Sequence, residues 1–122
     1  MPSSPLLPRP ILPVRLIGND RSRSVWALLD SGADRVIFPA REASRIGIAS
    51  VESGRRPVGV GVGRTDTFYH DLALEIIGEG RILYLEVGFT DSLIMPVLGR
   101  PFFRNYREVT FREAEREVEL RP

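Results

Sequence analysis

The sequence predicts a mainly β fold, a barrel or sandwich carrying one or two short helices. Three features predict it. Short alternating or apolar runs recur along the chain, glycine-centred turns separate them, and a single stretch carries a well-marked helix start and stop. No repeat of 20–50 residues is present. At 122 residues the chain suits one compact domain with a small core.

Residues 1–10 hold four prolines and no hydrophobic period, so they read as an extended arm preceding a single domain over 11–122. Ile11 to Ile17 alternates as a strand, with Pro13 suggesting a sheet edge. Gly18-Asn19-Asp20 marks a turn. Val25-Trp26-Ala27-Leu28-Leu29 is an apolar run fit for a buried strand, and it leads directly into Asp30-Ser31-Gly32. Pro39 to Ile46 reads as the helix: proline fits a first turn, where no N–H is needed, and Gly47 stops it with Ile48 folding back.

Val58 to Gly63 alternates glycine with valine. Thr67 to Ile77 reads as a strand with Leu72, Leu74 and Ile76 on one face, turned by Gly78-Glu79-Gly80. Leu83, Leu85 and Val87 then alternate with Ile82, Tyr84 and Glu86. Leu93 to Leu98 is a second buried run ending at Gly99-Arg100, and Pro101 to Tyr106 fits one helical turn. Val109 to Phe111 and Glu117 to Leu120 read as two strands joined by a polar, solvated turn. Trp26, Phe102 and Phe103 are expected in the core and His70 on a strand surface.

Composition narrows the chemistry. A 43% hydrophobic and 27% charged make-up is ordinary for a globular protein. Seventeen arginines against 16 acids leave a net charge of +1, which provides no footprint for nucleic acid or for an anionic membrane. No Cys is present and His70 is the only histidine, so a thiolate nucleophile, a disulfide frame and a multi-histidine metal site within one chain are excluded. No apolar stretch is long enough to span a bilayer, and the N-terminus lacks the pattern of a signal peptide, so a cytoplasmic location is the expectation. Acid–base work falls to carboxylates. The glycines of 59–63 lack the spacing of a dinucleotide loop, and the chain has no lysine for a P-loop.

Asp30 stands out among those carboxylates. A buried strand ending in Asp-Ser-Gly holds its acid on a rigid element at the rim of the core, where catalysis needs it. Ser31 can hydrogen-bond locally, and Gly32 lets another backbone approach. The tripeptide alone also describes an ordinary turn.

The surrounding residues point further. Ala27-Leu28-Leu29-Asp30-Ser31-Gly32-Ala33-Asp34 with Val36-Ile37-Phe38-Pro39, then Gly59-Val60-Gly61-Val62-Gly63, then Val97-Leu98-Gly99-Arg100 occur in an order that resembles the retropepsin-like aspartic proteases. The resemblance spans about residues 11–120 and implies that family's closed β-barrel, the acid-protease half-lobe. It implies Asp30 as the catalytic acid, Ser31 as the hydroxyl that ties two active-site loops together, and Gly32 as the glycine beside substrate backbone. It implies Gly99 packed beneath the catalytic loop, and Asp34 paired with Arg100, in a structural role or in holding substrate. Val97 would line a side-chain pocket, and Val60, Gly61 and Val62 would belong to a flap over substrate. Pro101 departs from the Asn or Asp common after Gly-Arg in that family.

One motif in a chain too short for two lobes implies a homodimer, in which a two-fold axis brings two Asp30 side chains together. The expected activity is cleavage of a polypeptide with no cofactor and no metal. A binding or dimerisation module of the same fold is the alternative class.

Overall fold

A computed structural model of the chain describes residues 10–55 and 67–122. Six strands hydrogen-bond into a closed ring: β1 (Ile11–Ile17), β2 (Ser22–Leu29), β3 (Val36–Pro39), β4 (Phe68–Ile76), β5 (Arg81–Thr90) and β6 (Val97–Leu98). Their order around the ring is β1-β2-β6-β3-β5-β4. Helix α1 (Arg41–Arg45) follows β3, helix α2 (Arg100–Phe103) follows β6, and β7 (Glu108–Arg112) with β8 (Glu117–Arg121) forms a separate hairpin. The fold is mainly β with two short helices, as expected.

Alternation decides what is inside. Val14 and Leu16, Ala27 and Leu29, Leu74 and Ile76, and Leu83, Leu85 and Val87 face one another in the ring, joined by Val36, Phe38, Phe89 and Leu98. Phe102 and Tyr106, and Ala43 and Ile46, add to this core from the two helical segments. Gly47 sits at φ 86° where the helix stops, and Ile48 N–H returns to Ala43 O at 3.0 Å, so the helix terminates as its sequence indicates. Glu42 is buried on α1 and anchors the helix to β2 through Arg23, 3.0 Å away.

Several sequence expectations change. Pro39 ends β3 opposite Thr90 and does not open the helix, because Ala40 N–H still donates to Thr90 O at 2.8 Å and the chain turns only after it. Pro13 is not on an edge strand: β1 has β2 on one side and β4 on the other. Its carbonyl accepts from Ile77 N–H at 3.1 Å, and since proline returns no donor the β1–β4 ladder stops at Val14 and Ile76. Leu93 to Leu98 is strand only at Val97–Leu98, and Ile94 stands in solvent on the preceding loop.

Trp26 is 58% exposed, not core. With Ala27 and Leu29 turned inward, Trp26 must turn out. Phe102 is fully buried as expected, while Phe103 is half-buried. His70 is in phase with Leu72, Leu74 and Ile76, so it turns inward and not to the surface. Its ring is half-buried, 5.7 Å from the Phe89 ring and edge-on to it, and its Nε2 lies 2.9 Å from Val51 O.

Candidate active site

Strands β2 and β3 are consecutive in sequence, yet β6 lies between them, parallel to β2 and antiparallel to β3. The segment from Asp30 to Arg35 therefore loops around the end of β6. Leu28 N–H donates to Pro96 O at 2.9 Å and Asp30 N–H to Leu98 O at 3.0 Å, so the ladder continues through Asp30 itself. Beyond it, Arg100 N–H donates to Ala33 O at 2.8 Å. Gly99 fits beneath the loop only because it lacks a side chain: a β-carbon there would lie 2.3 Å from Arg35 O and 2.5 Å from Ala33 O.

The Asp30 carboxylate is exposed at the tip of this crossing. Its Oδ1 accepts Gly32 N–H at 3.0 Å, and Ala33 N–H closes the turn on Asp30 O at 3.1 Å. A β-carbon at Gly32 would approach Oδ1 to 3.3 Å, so a glycine suits that position. One carboxylate oxygen is thus oriented by backbone while the other has no partner among the described residues. Such an acid is held in place by backbone with one oxygen left open to a ligand.

The remaining expected site residues distribute around it. Ser31 and Asp34 are exposed on the same loop. Arg100 does not reach Asp34: its Nε donates to Ser31 O at 3.4 Å, and among the described residues Asp34 has no ion pair. The reason is local, since the Arg100 backbone is bound to Ala33 and its side chain leaves on the Ser31 side of the loop. Val60, Gly61 and Val62 lie outside the described residues.

Val97 lies in a row that sequence inspection did not assemble. Register places Leu28, Val97, Ile37, Gly88 and Tyr69 side by side across β2, β6, β3, β5 and β4. This row faces away from the core. Leu28, Val97 and Ile37 are half-buried, and Leu28 precedes Asp30 by two residues on the same face. At the far end the Tyr69 ring takes the space of a Gly88 side chain, whose β-carbon would lie 2.6 Å from Cε1. The Arg35 guanidinium sits 5.3 Å from the Tyr69 ring centroid and its Nη1 is 3.5 Å from Glu86. The alternation around Asp30 held the signal for Leu28; Gly88 and Tyr69 follow only from the pairing of distant strands.

A separate open cavity of about 570 Å³ is lined by Ser31 and Arg100 together with Phe103, Val109 and Phe111. Asp30 does not line it, so it is not the place where the acid would act. Among the described residues no cluster of His, Asp and Glu forms a metal-binding set, and no helix is long and apolar enough to cross a membrane.

No protein-family model matches the sequence, and no curated protein matches it. Solved structures do match. The retroviral protease-like domain of Ddi1 from Leishmania major superimposes with a TM-score of 0.61 at 19% identity, covering 92% of this chain and 87% of that one. The EIAV protease, in a complex with the inhibitor HBY-793, matches with a TM-score of 0.56 at 21% identity, over 85% and 93% of the two chains. A retropepsin-like aspartic protease from Rickettsia conorii matches with a TM-score of 0.61 at 11% identity, over 84% and 77%. The fold is retropepsin-like.

Proposed function

We propose that this chain is an aspartic endopeptidase that acts as a homodimer. The observation that carries the reading is Asp30. It is an exposed carboxylate at the end of β2, just past the buried Ala27 and Leu29, held by one backbone N–H on a loop locked around β6. The retropepsin-like fold supports it, together with the resemblance of the motif around Asp30 to retropepsin-like aspartic proteases, which implies Asp30 as the acid.

The chemistry follows from pairing two such acids. Across a two-fold axis the carboxylates would lie about 3 Å apart, too close for both to ionise readily, so the pair holds one proton over a broad pH range. The two titrations then belong to the pair and not to either copy. The ionised Asp30 takes a proton from a shared water as its oxygen attacks the scissile carbonyl carbon. The protonated Asp30 passes its proton to the carbonyl oxygen, so a neutral tetrahedral diol forms. On collapse the Asp30 that took the water proton gives it to the amide nitrogen, the other Asp30 takes back a proton from a diol hydroxyl, and the C–N bond breaks, which restores one proton on the pair. Gly32 N–H keeps one oxygen of each carboxylate oriented, leaving the other for the proton traffic. Asp34 and Ser31 stand on the same loop, where they can hold substrate backbone or the partner loop. The half-buried row of Leu28, Val97 and Ile37 favours apolar side chains flanking the cut. The resemblance assigns the covering of substrate to residues 60–62, which lie outside the described residues.

Digestion of a peptide pool between about pH 3 and pH 7 tests the reading. Wild type should cut, and Asp30→Asn should lose roughly 10²- to 10⁴-fold in rate, the usual contribution of positioned acid–base groups. A wild type that cuts nothing, or an Asp30→Asn that cuts equally well, defeats it and leaves a binding module of the same fold. Sedimentation checks the pairing: a fully active monomer at micromolar concentration excludes a shared dyad.

A further inference from the structure

Trp26 lies on the same strand and the same face as Asp30, and the catalytic proposal assigns it nothing. Alternation along β2 sends Ser24, Trp26, Leu28 and Asp30 outward and Val25, Ala27 and Leu29 inward. On β1, Ile11 stands opposite Leu28 and Pro13 opposite Trp26. Ile77, whose N–H reaches Pro13 O, flanks the other side of Pro13. Trp26 is 58% exposed, Ile77 43% and Ile11 41%. These are three of the seven exposed large hydrophobic residues among those described, and they form one patch joined through Leu28 to the row beside Asp30. Scattered surface hydrophobics are normal in globular proteins; a contiguous patch that runs up to an exposed, oriented acid is not.

We infer that this patch is an extension of the substrate-binding surface. It would dock an apolar or aromatic side chain of an extended polypeptide, with Trp26 as the platform that determines specificity there. Continuity argues for that occupant: Trp26, Leu28 and Asp30 are successive outward positions of one strand, so a polypeptide that follows β2 away from the acid meets Leu28 and then Trp26. Four residues of strand separate the Trp26 and Asp30 backbones by about 13 Å, which places the docked side chain about four residues from the scissile bond. A flat indole face with a proline and two isoleucines around it suits a leucine or phenylalanine, not a charged residue. The inference rests on the peptidase reading above.

Trp26 is the only tryptophan in the chain, so its emission reports directly on this surface. The binding experiment uses Asp30→Asn, which holds peptide without consuming it. A peptide of about 12 residues is compared with one of about six, both free of tryptophan and tyrosine. The long one carries Leu or Phe four residues from the cut. The long peptide should shift Trp26 emission to shorter wavelength in a saturable way and the short one should not. In kinetics, Trp26→Ala should reduce the long-to-short ratio of kcat/KM by about 3- to 10-fold, mainly through KM, and Trp26→Phe should restore most of it.

If wild type cuts both peptides but emission never moves and Trp26→Ala keeps the ratio, the platform is wrong and the peptidase reading stands. If wild type cuts nothing, the peptidase reading is wrong, and the emission titration alone decides whether this face holds a peptide. If emission shifts with protein concentration and the long peptide then moves it no further, a second copy covers the face and the inference is overturned; a further saturable shift on adding peptide to the assembled dimer supports it.

Discussion

Gly99 lies so close to Arg35 that a β-carbon on it would be 2.3 Å from the Arg35 carbonyl oxygen. Its backbone is ordinary extended chain at φ −94° and ψ −159°, so any residue could adopt the conformation. The glycine is there for proximity alone. Gly99→Ala must push the Asp30–Arg35 loop off the end of β6, which breaks the Arg100 N–H to Ala33 O hydrogen bond and displaces Asp30 at the other end of the same loop. Overpacking of this kind costs about 1–3 kcal/mol. Urea denaturation at fixed protein concentration should show that loss, with peptidase activity falling further than the folded fraction does. Retained stability together with retained activity would mean that the loop and β6 can separate without consequence.

Thr67 and Gly88 make the opposite case. The Thr67 hydroxyl is buried, at 1% exposure, with no hydrogen-bond partner among the described residues, while its Cγ2 packs where a Gly88 side chain would be. A buried polar atom left unpaired costs roughly 1–3 kcal/mol. Thr67→Val keeps the shape and removes the hydroxyl, so the protein should gain about 1 kcal/mol and its Tm should rise. A lower Tm in calorimetry would show that the hydroxyl has a partner when the protein is in solution.

Much of this was readable in the sequence, and the failures have physical causes. The strands and their inward faces follow from period-two patterns around Leu72, Leu74 and Ile76 or Leu83, Leu85 and Val87, because side-chain alternation is a local property. Trp26 is apolar yet exposed, because its phase relative to Asp30, and not its hydrophobicity, decides its side of the strand. His70 is polar yet half-buried, because it shares its phase with Leu72, Leu74 and Ile76. The insertion of β6 between β2 and β3 joins Leu28 to Val97 across most of the chain, and no local pattern records such a pairing. The motif around Asp30 was legible in residue type, whereas the direction of the Arg100 side chain depends on where α2 begins.

Tyr106 predicts a stability loss in alkali. Its ring is buried under Phe102 and the Arg81 guanidinium, and its hydroxyl donates to Glu79 at 3.4 Å. Burial first, and then the Glu79 charge, disfavour the phenolate and raise the pKa from an ordinary 10 to about 12, although Arg81 opposes the shift. A group whose pKa is higher folded than unfolded stabilises the protein fully below the unfolded value and loses that contribution as pH climbs to the folded one. Thermal unfolding should therefore be insensitive to this group below about pH 10 and weaken between about pH 10 and 12. Tyr106→Phe should flatten that part of the profile, and a profile equally steep in Tyr106→Phe would assign the loss to other groups.

Arg116 closes the β7–β8 hairpin with φ at 57°, the one non-glycine residue in the left-handed region among those described. Its N–H returns to Glu113 O at 3.2 Å, so the turn needs this conformation at this position. An L side chain pays about 1–2 kcal/mol there, and glycine avoids it while adding freedom to the unfolded chain. The net expectation for Arg116→Gly is about 0.5–1 kcal/mol of added stability. Arg116→Val, with a branched β-carbon, should destabilise by a comparable amount. Cross-strand pairs Arg121–Glu108 and Arg112–Glu119 are untouched by either change, so the difference between the two variants isolates the backbone effect. Denaturant midpoints that move in the same direction for both variants would show that the side chain of Arg116, and not its backbone angle, sets the stability of the hairpin.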